Sequence, residues 1–166
     1  MLEQTQSLVS LISSQGGSVE FSSNGSYKKK PDVAIFVYGE DPYTEGEGDR
    51  EDLKFISSDL NYLNIMEEYK KDELPIVSIF LSGRPLEINK QLDLSDSFVA
   101  AWLPGTAVEG ISDVIFSKNG KIHHNFKGKL PYSWPKTLNS HFNHNDFNYD
   151  PLFPYGYGLK YITGNK

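Results

Sequence analysis

The chain has 166 residues, 38% of them hydrophobic and 13% aromatic, which is enough for one ordinary globular domain and too little for two. A net charge of −6 argues against nucleic acid or an anionic membrane as the main partner, because both reward a basic surface, and the absence of cysteine removes disulfide and thiolate chemistry. No run is long and apolar enough for a membrane span, and MLEQTQSLVSLISSQGG lacks the regions of a signal peptide, so the chain is read as soluble.

Leu2, Leu8, Val9, Leu11 and Ile12 recur at helical spacing before Gly16-Gly17, which predicts a short opening helix. Ser18 to Ser22 alternates as a strand would, and the polar turn NGSYKKKP leads into Val33-Ala34-Ile35-Phe36-Val37, a strand expected to be buried on both faces. The Lys28-Lys29-Lys30 run is read as a solvated loop. After an acidic loop, Leu60, Leu63, Met66, Glu67 and Tyr69 predict an amphipathic helix that ends on the approach to Pro75. IVSIFL is a further buried strand and stops at the loop Ser82 to Pro85. FVAAWL, Phe98 to Leu103, ends in PGTAVEG, and a helix over roughly Val108 to Phe116 is expected to turn Ile111, Val114 and Ile115 inward.

Apolar strands alternating with helices predict a mainly parallel sheet with helices on both faces, a three-layer α/β/α sandwich. Past Asn119 the chain is rich in Pro, Gly, Asn and aromatics and reads as an irregular wrap, so 1–166 forms one domain. Ligands in such sheets bind outside the carboxyl ends of the strands. The loops Gly39 to Asp49, Ser82 to Pro85 and Pro104 to Gly110 all start on that rim.

The first loop concentrates Glu40, Asp41, Glu45, Glu47 and Asp49. Exposed loops often carry acids that only hydrate the surface or cap the next helix. Here Pro42 and Tyr43 stiffen the loop while glycines let it bend, so one carboxylate can be aimed. The oxygen pattern of a calcium loop is missing, and the negative charge is wrong for a phosphate cradle. His141 and His144 with Asp146 can be drawn as a metal site, but the segment is Asn-rich and is read as a surface loop. No nucleophile elbow occurs, and no metal or cofactor is implied. Carboxylate chemistry remains: cleaving a glycosidic bond needs an acid to protonate the departing oxygen and a second carboxylate across the sugar.

Several motifs occur in order: VYGEDPYTEGEGD, FLSGRPL, FVAAWLPG, GKLPYSWP and YDPLFPYGYGLKY. Together they resemble the C-terminal domain of glycoside hydrolase family 3, the β-glucosidases and exo-β-glucanases, in particular the bacterial exo-glucanase type. The resemblance implies a flavodoxin-like sandwich beside an N-terminal barrel that carries the aspartate nucleophile, with a β-glucan or β-glucoside bound between them. It places the acid/base of a retaining, exo-acting glycosidase on Glu45. Glu40, Tyr43, Asp49 and Arg84 become substrate-binding or loop-support residues, with Glu40 positioned to meet backbone N–H groups or Arg84. Trp102 and Trp134 are expected in packing rather than as sugar platforms. A periplasmic or secreted bacterial parent is implied.

The chain departs from that pattern in three places. Ser57-Ser58-Asp59 and Ser95-Asp96-Ser97 lack the tryptophan of the S-D-W nucleophile motif, so this chain alone is expected to be inactive. The family's first strand and helix are missing, which predicts an open sheet edge in need of a partner. PGTAVEG has Ala107 and Val108 where glycines and an acid are usual, with Glu109 displaced. A non-catalytic sugar-binding or scaffold module is the alternative reading.

Overall fold

Three apolar runs become the strands of one parallel sheet: β1 over Ala34–Gly39, β2 over Ile76–Leu81 and β3 over Ser97–Ala100, in the order β1-β2-β3. The computed structural model describes residues 9–10, 12–14, 16–57, 61–117, 119–138 and 145–162. Ala34 stands opposite Ile76 and Gly39 opposite Leu81, while Val77 pairs with Ser97 and Phe80 with Ala100. The α1 helix (Tyr62–Lys71) connects β1 to β2, α2 (Asn89–Leu94) connects β2 to β3, and α3 (Glu109–Ile115) follows β3. The chain is therefore the parallel α/β domain that its sequence pattern predicts.

Several expectations need correction. Residues 9–10 and 12–14 are helical, whereas Leu2, Leu8 and Leu11 of the expected opening helix, and Leu60 of the second, lie outside the described residues. Ser18 to Ser22 is not a strand: Phe21 is 69% exposed, and Glu20 accepts from the Lys28 N–H instead of joining a ladder. Alternation alone cannot make a strand without a neighbour to pair with. β1 is not buried on both faces either. It is an outer strand of the described sheet, so side chains such as Val37, 47% exposed, have a neighbour on only one side.

The six-residue α2 lies between the second and third strands, in a segment for which the sequence pattern predicts no helix. Its apolar period is too short to register, yet Ile88 and Gln91 are buried. Finally, Ile111, Val114 and Ile115 of α3 are only half-buried, and the deepest side chain there is Ser112. The helix meets the C-terminal chain, where the Tyr161 hydroxyl donates to the Val114 carbonyl at 2.8 Å.

α1 stops well short of Pro75. Glu73 adopts φ 55°, the Leu74 N–H donates to the Tyr69 carbonyl at 2.9 Å and the Glu73 N–H to Lys70 at 3.1 Å, a Schellman closure with glutamate where glycine is usual. Leu74, the next residue, is buried. Two packed clusters fill the face of the sheet beneath α1 and α2. Tyr62, Met66 and Ile76 form one, and Phe80, Leu86, Ile88 and Trp134 form the other. Between them runs a polar chain: Gln91 Nε2 donates to the Tyr62 hydroxyl at 2.7 Å, the Ser95 hydroxyl donates to the Gln91 carbonyl at 2.6 Å, and Ser78 and Ser95 share a 2.6 Å bond. The Tyr38 phenol beside these serines is pushed up by burial.

The irregular C-terminal chain contributes to the core as well as covering it. Residues around Leu130 to Trp134 pair with Leu152 to Tyr157 through backbone bonds of 2.8–2.9 Å, including an antiparallel bridge between Trp134 and Phe153. Trp134 is 2% exposed, and its indole N–H donates to the Leu86 carbonyl at 2.7 Å. Trp134→Phe should cost about 2–4 kcal/mol in urea unfolding, because it leaves a buried carbonyl unpaired and opens a cavity. A loss below about 0.5 kcal/mol would show that neither effect operates.

Asp96 joins three elements. Its carboxylate lies 2.8 Å from Lys70 Nζ of α1 and accepts the Ile76 N–H at the start of β2, also at 2.8 Å. The Lys70 bond first, and then the Ile76 N–H, hold this carboxyl below its ordinary value. A lowered folded-state value means that the stabilisation is complete above the unfolded aspartate range and fades as pH falls through the folded value. Asp96→Asn should therefore flatten the acid limb of a melting-temperature curve below about pH 4. An unchanged acid limb would contradict the linkage.

Candidate active site

Parallel pairing delivers the ends of β1 and β2 to one rim. The Glu40 N–H donates to the Leu81 carbonyl at 2.9 Å, so the acidic loop and the Ser82–Pro85 loop leave the sheet side by side. Glu40 is the inward member of the acidic set, with its side chain 8% exposed. Its carboxylate lies 3.2 Å from Nε of Arg84 and also accepts the Gly83 N–H at 3.3 Å. The Nε–H is not aligned for a hydrogen bond, so attraction between the charges holds this pair.

Arg84 reaches further into the loop. Nη1 donates to the Gly48 carbonyl at 2.6 Å, and the guanidinium carbon stands 4.2 Å from the centre of the Tyr43 ring. The loop also closes on itself, with the Gly48 N–H donating to the Thr44 carbonyl at 3.0 Å and the Asp49 N–H to Gly46 at 3.1 Å. Tyr43, Thr44, Glu45, Gly48, Asp49 and Arg84 line a cleft of about 300 Å³ on the rim. Glu45 and Asp49 are exposed in this cleft, and Glu47 is exposed beside them in the same loop.

Beyond the cleft the chain is tied back to the domain. Arg50 Nη2 lies 2.6 Å from the Asp52 carboxylate and donates to the Lys54 carbonyl at 2.9 Å. The Lys54 N–H, and secondarily Arg50, hold the Asp52 carboxyl below its usual range. Lys54 then bridges to Glu87, just past the second loop.

The third loop supplies an apolar border. Trp102 adopts φ 54°, a left-handed backbone uncommon for so large a residue, and its ring packs 5.6 Å from Trp134 and 5.7 Å from Tyr132. Leu103 follows with 72% exposure. Burial first, and then the neighbouring Tyr43, push the Tyr132 phenol up. Trp134 is a core residue, and Trp102 is half-buried against it.

The structure thus gathers Glu40, Tyr43, Glu45, Asp49 and Arg84 at one place. Sequence reasoning paired Arg84 with Glu40 alone and missed its hold on Tyr43 and Gly48. No local signal announces these contacts, because the partners sit in different loops. Among the described residues no group of three or more histidine and acidic side chains could hold a metal ion, and His141 and His144 lie outside those residues. Among the described residues no helix is long and apolar enough to cross a membrane.

Residues 2–161 match the Glycosyl hydrolase family 3 C-terminal domain. The chain is 28% identical to a periplasmic β-glucosidase of Salmonella typhimurium, with 81% of this chain and 20% of that protein covered. It is 31% identical to a β-xylosidase of Formosa agariphila, again with 81% of this chain and 20% of the relative covered. The crystal structure of an exo-1,3/1,4-β-glucanase from a Pseudoalteromonas species superposes with a TM-score of 0.89 at 48% identity, over 95% of this chain and 20% of that one. A β-glucosidase from Listeria innocua, 22% identical with a TM-score of 0.59 over 78% of this chain and 21% of its own, shares the fold. This chain therefore spans about a fifth of the length of the relatives it matches.

Removing the carboxylate behind the cleft should be costly, because Arg84 keeps only 18% side-chain exposure. Glu40→Ala is expected to lower unfolding free energy by about 2 kcal/mol, less than for a fully buried pair. A loss near zero in chemical denaturation would reduce this ion pair to an ordinary surface contact.

Proposed function

The chain belongs to the Glycosyl hydrolase family 3 C-terminal domain family, and from that premise we propose that it forms part of a retaining, exo-acting β-glucosidase or β-glucan glucohydrolase and supplies Glu45 as its acid/base. The observation that carries this reading is the placement of Glu45 on the rim cleft, in a loop held by Arg84, at the carboxyl ends of parallel strands.

In this reading an N-terminal barrel domain provides the aspartate nucleophile, and a β-glucan or β-glucoside lies between the two parts. As the aspartate attacks the anomeric carbon, protonated Glu45 gives its proton to the departing glycosidic oxygen, and a glycosyl ester forms. Glu45, now a carboxylate, takes a proton from water as that water attacks the same carbon and releases the aspartate. Covering the cleft with sugar and barrel favours the protonated form at the start of the cycle, since burial disfavours a carboxylate charge. On this account the chain alone, without the nucleophile, does not turn over substrate. Glu40, Tyr43 and Arg84 support the loop, and Asp49 supports it or meets the sugar. The parent enzyme is periplasmic or secreted, in keeping with the Salmonella typhimurium relative.

Glu45→Gln in the complete enzyme tests the assignment. Hydrolysis of an aryl β-glucoside with a poor leaving group should fall about 10²–10⁴-fold, the usual worth of a positioned general acid. An unchanged rate would remove the catalytic role and leave the sugar-binding or scaffold module.

A further inference from the structure

We propose that Arg84 and Tyr43 form a clamp that positions Glu45, so that the SGRP loop sets the aim of a proton donor it does not itself carry. The inference rests on the acid/base assignment of Glu45 and adds the residues that hold it in place.

Arg84 grips the loop on both sides of Glu45. Upstream, its guanidinium covers the Tyr43 ring at 4.2 Å, and downstream, Nη1 holds the Gly48 carbonyl at 2.6 Å. Between these grips the chain is a closed turn, through the bonds from Gly48 to Thr44 and from Asp49 to Gly46. Glu45 therefore projects from a backbone pinned at both ends, and its direction follows from where Arg84 stands.

Arg84 is in turn fixed to the sheet. Glu40 neutralises it from behind at 3.2 Å, and the Ser82 hydroxyl, on a residue 1% exposed, donates to the Arg84 carbonyl at 2.6 Å. Glu40 is itself tied to β2 through its N–H. Side chain and backbone of Arg84 thus share a frame with the strand ends.

The fit of Tyr43 is enforced by two glycines. A Cβ on Gly48 would stand 2.8 Å from the tyrosine ring, and one on Gly83 would stand 2.5 Å from its hydroxyl. Each distance is too short for real carbon contacts, so neither site accepts alanine without moving Tyr43. The two loops touch through a ring, a cation and two positions without side chains. Lysine cannot replace arginine here, because covering a ring, donating to a carbonyl and meeting a carboxylate at once calls for a planar guanidinium.

General acid catalysis depends steeply on such placement. A shift of about 1 Å costs on the order of 100-fold in rate when the proton no longer lies on its path. A clamp on the loop therefore affects the rate without touching the sugar.

The test uses the complete enzyme, barrel included, and reads kcat/KM for a dinitrophenyl β-glucoside, whose leaving group departs unaided, and for a phenyl or alkyl β-glucoside, which needs the proton. Arg84→Lys should lower kcat/KM about 10–100-fold on the poor leaving group and leave the activated substrate within about threefold. Gly83→Ala, which removes no charge or hydrogen bond, should reproduce that split by displacing Tyr43. In a Glu45→Gln background Arg84→Lys should cost nothing more, because the group it positions is gone. Equal losses on both substrates, an undiminished cost in the Glu45→Gln background, or no loss from either variant would overturn the clamp. Failure of the underlying assignment is seen separately: Glu45→Gln alone would leave the poor substrate unaffected, and both proposals would fall.

Discussion

Because β1 and β2 run side by side with Gly39 opposite Leu81, the chain leaves both strands at the same height, and two loops far apart in sequence begin as neighbours. Everything at the candidate site follows from that register. A slip of one residue would turn Glu40 to the other face of the strand end and separate it from Arg84. A slip of two would part the Tyr43 ring from the glycine that makes room for it. Parallel pairing therefore provides the reference frame in which a carboxylate on an exposed loop acquires a direction.

That frame needs support from distant chain. The face of the sheet beneath α1 and α2 closes only when Trp134 is inserted against Phe80 and Phe98, with its indole N–H satisfied by the Leu86 carbonyl. Leu86 directly follows the SGRP turn, so the same hydrogen bond anchors the loop that carries Arg84. Trp102 leans on Trp134 from the other side, and the left-handed backbone at Trp102 sends Leu103 outward toward the rim. Core packing and site geometry meet at this tryptophan pair.

The charges at the rim divide by burial. Glu40 is nearly enclosed and has a cation and an N–H to answer it, whereas Glu45, Glu47 and Asp49 stay in contact with water. An enclosed carboxylate with fixed partners serves as an anchor. An exposed one is left to meet whatever surface covers the rim. Neighbouring acids of one loop can thus be given different work by depth alone.

Local pattern was enough to read the alternation of apolar runs and helices, the strand IVSIFL, the loop VYGEDPYTEGEGD and the glycosidase family, because those features depend on neighbours in sequence and on ordered motifs. The strand expected at Ser18 to Ser22 failed because pairing requires a partner that no local alternation can announce. The two-sided burial expected of β1 failed because edge position is a property of the sheet. Arg84 lying over Tyr43 and holding Gly48 was likewise invisible, since these residues lie far apart along the chain and meet only through the β1–β2 register. Sequence by itself determined which residue types this protein has to work with and the order in which they come. The tertiary structure decided which of them touch, because distance in space is set by strand pairing and core packing rather than by position along the chain.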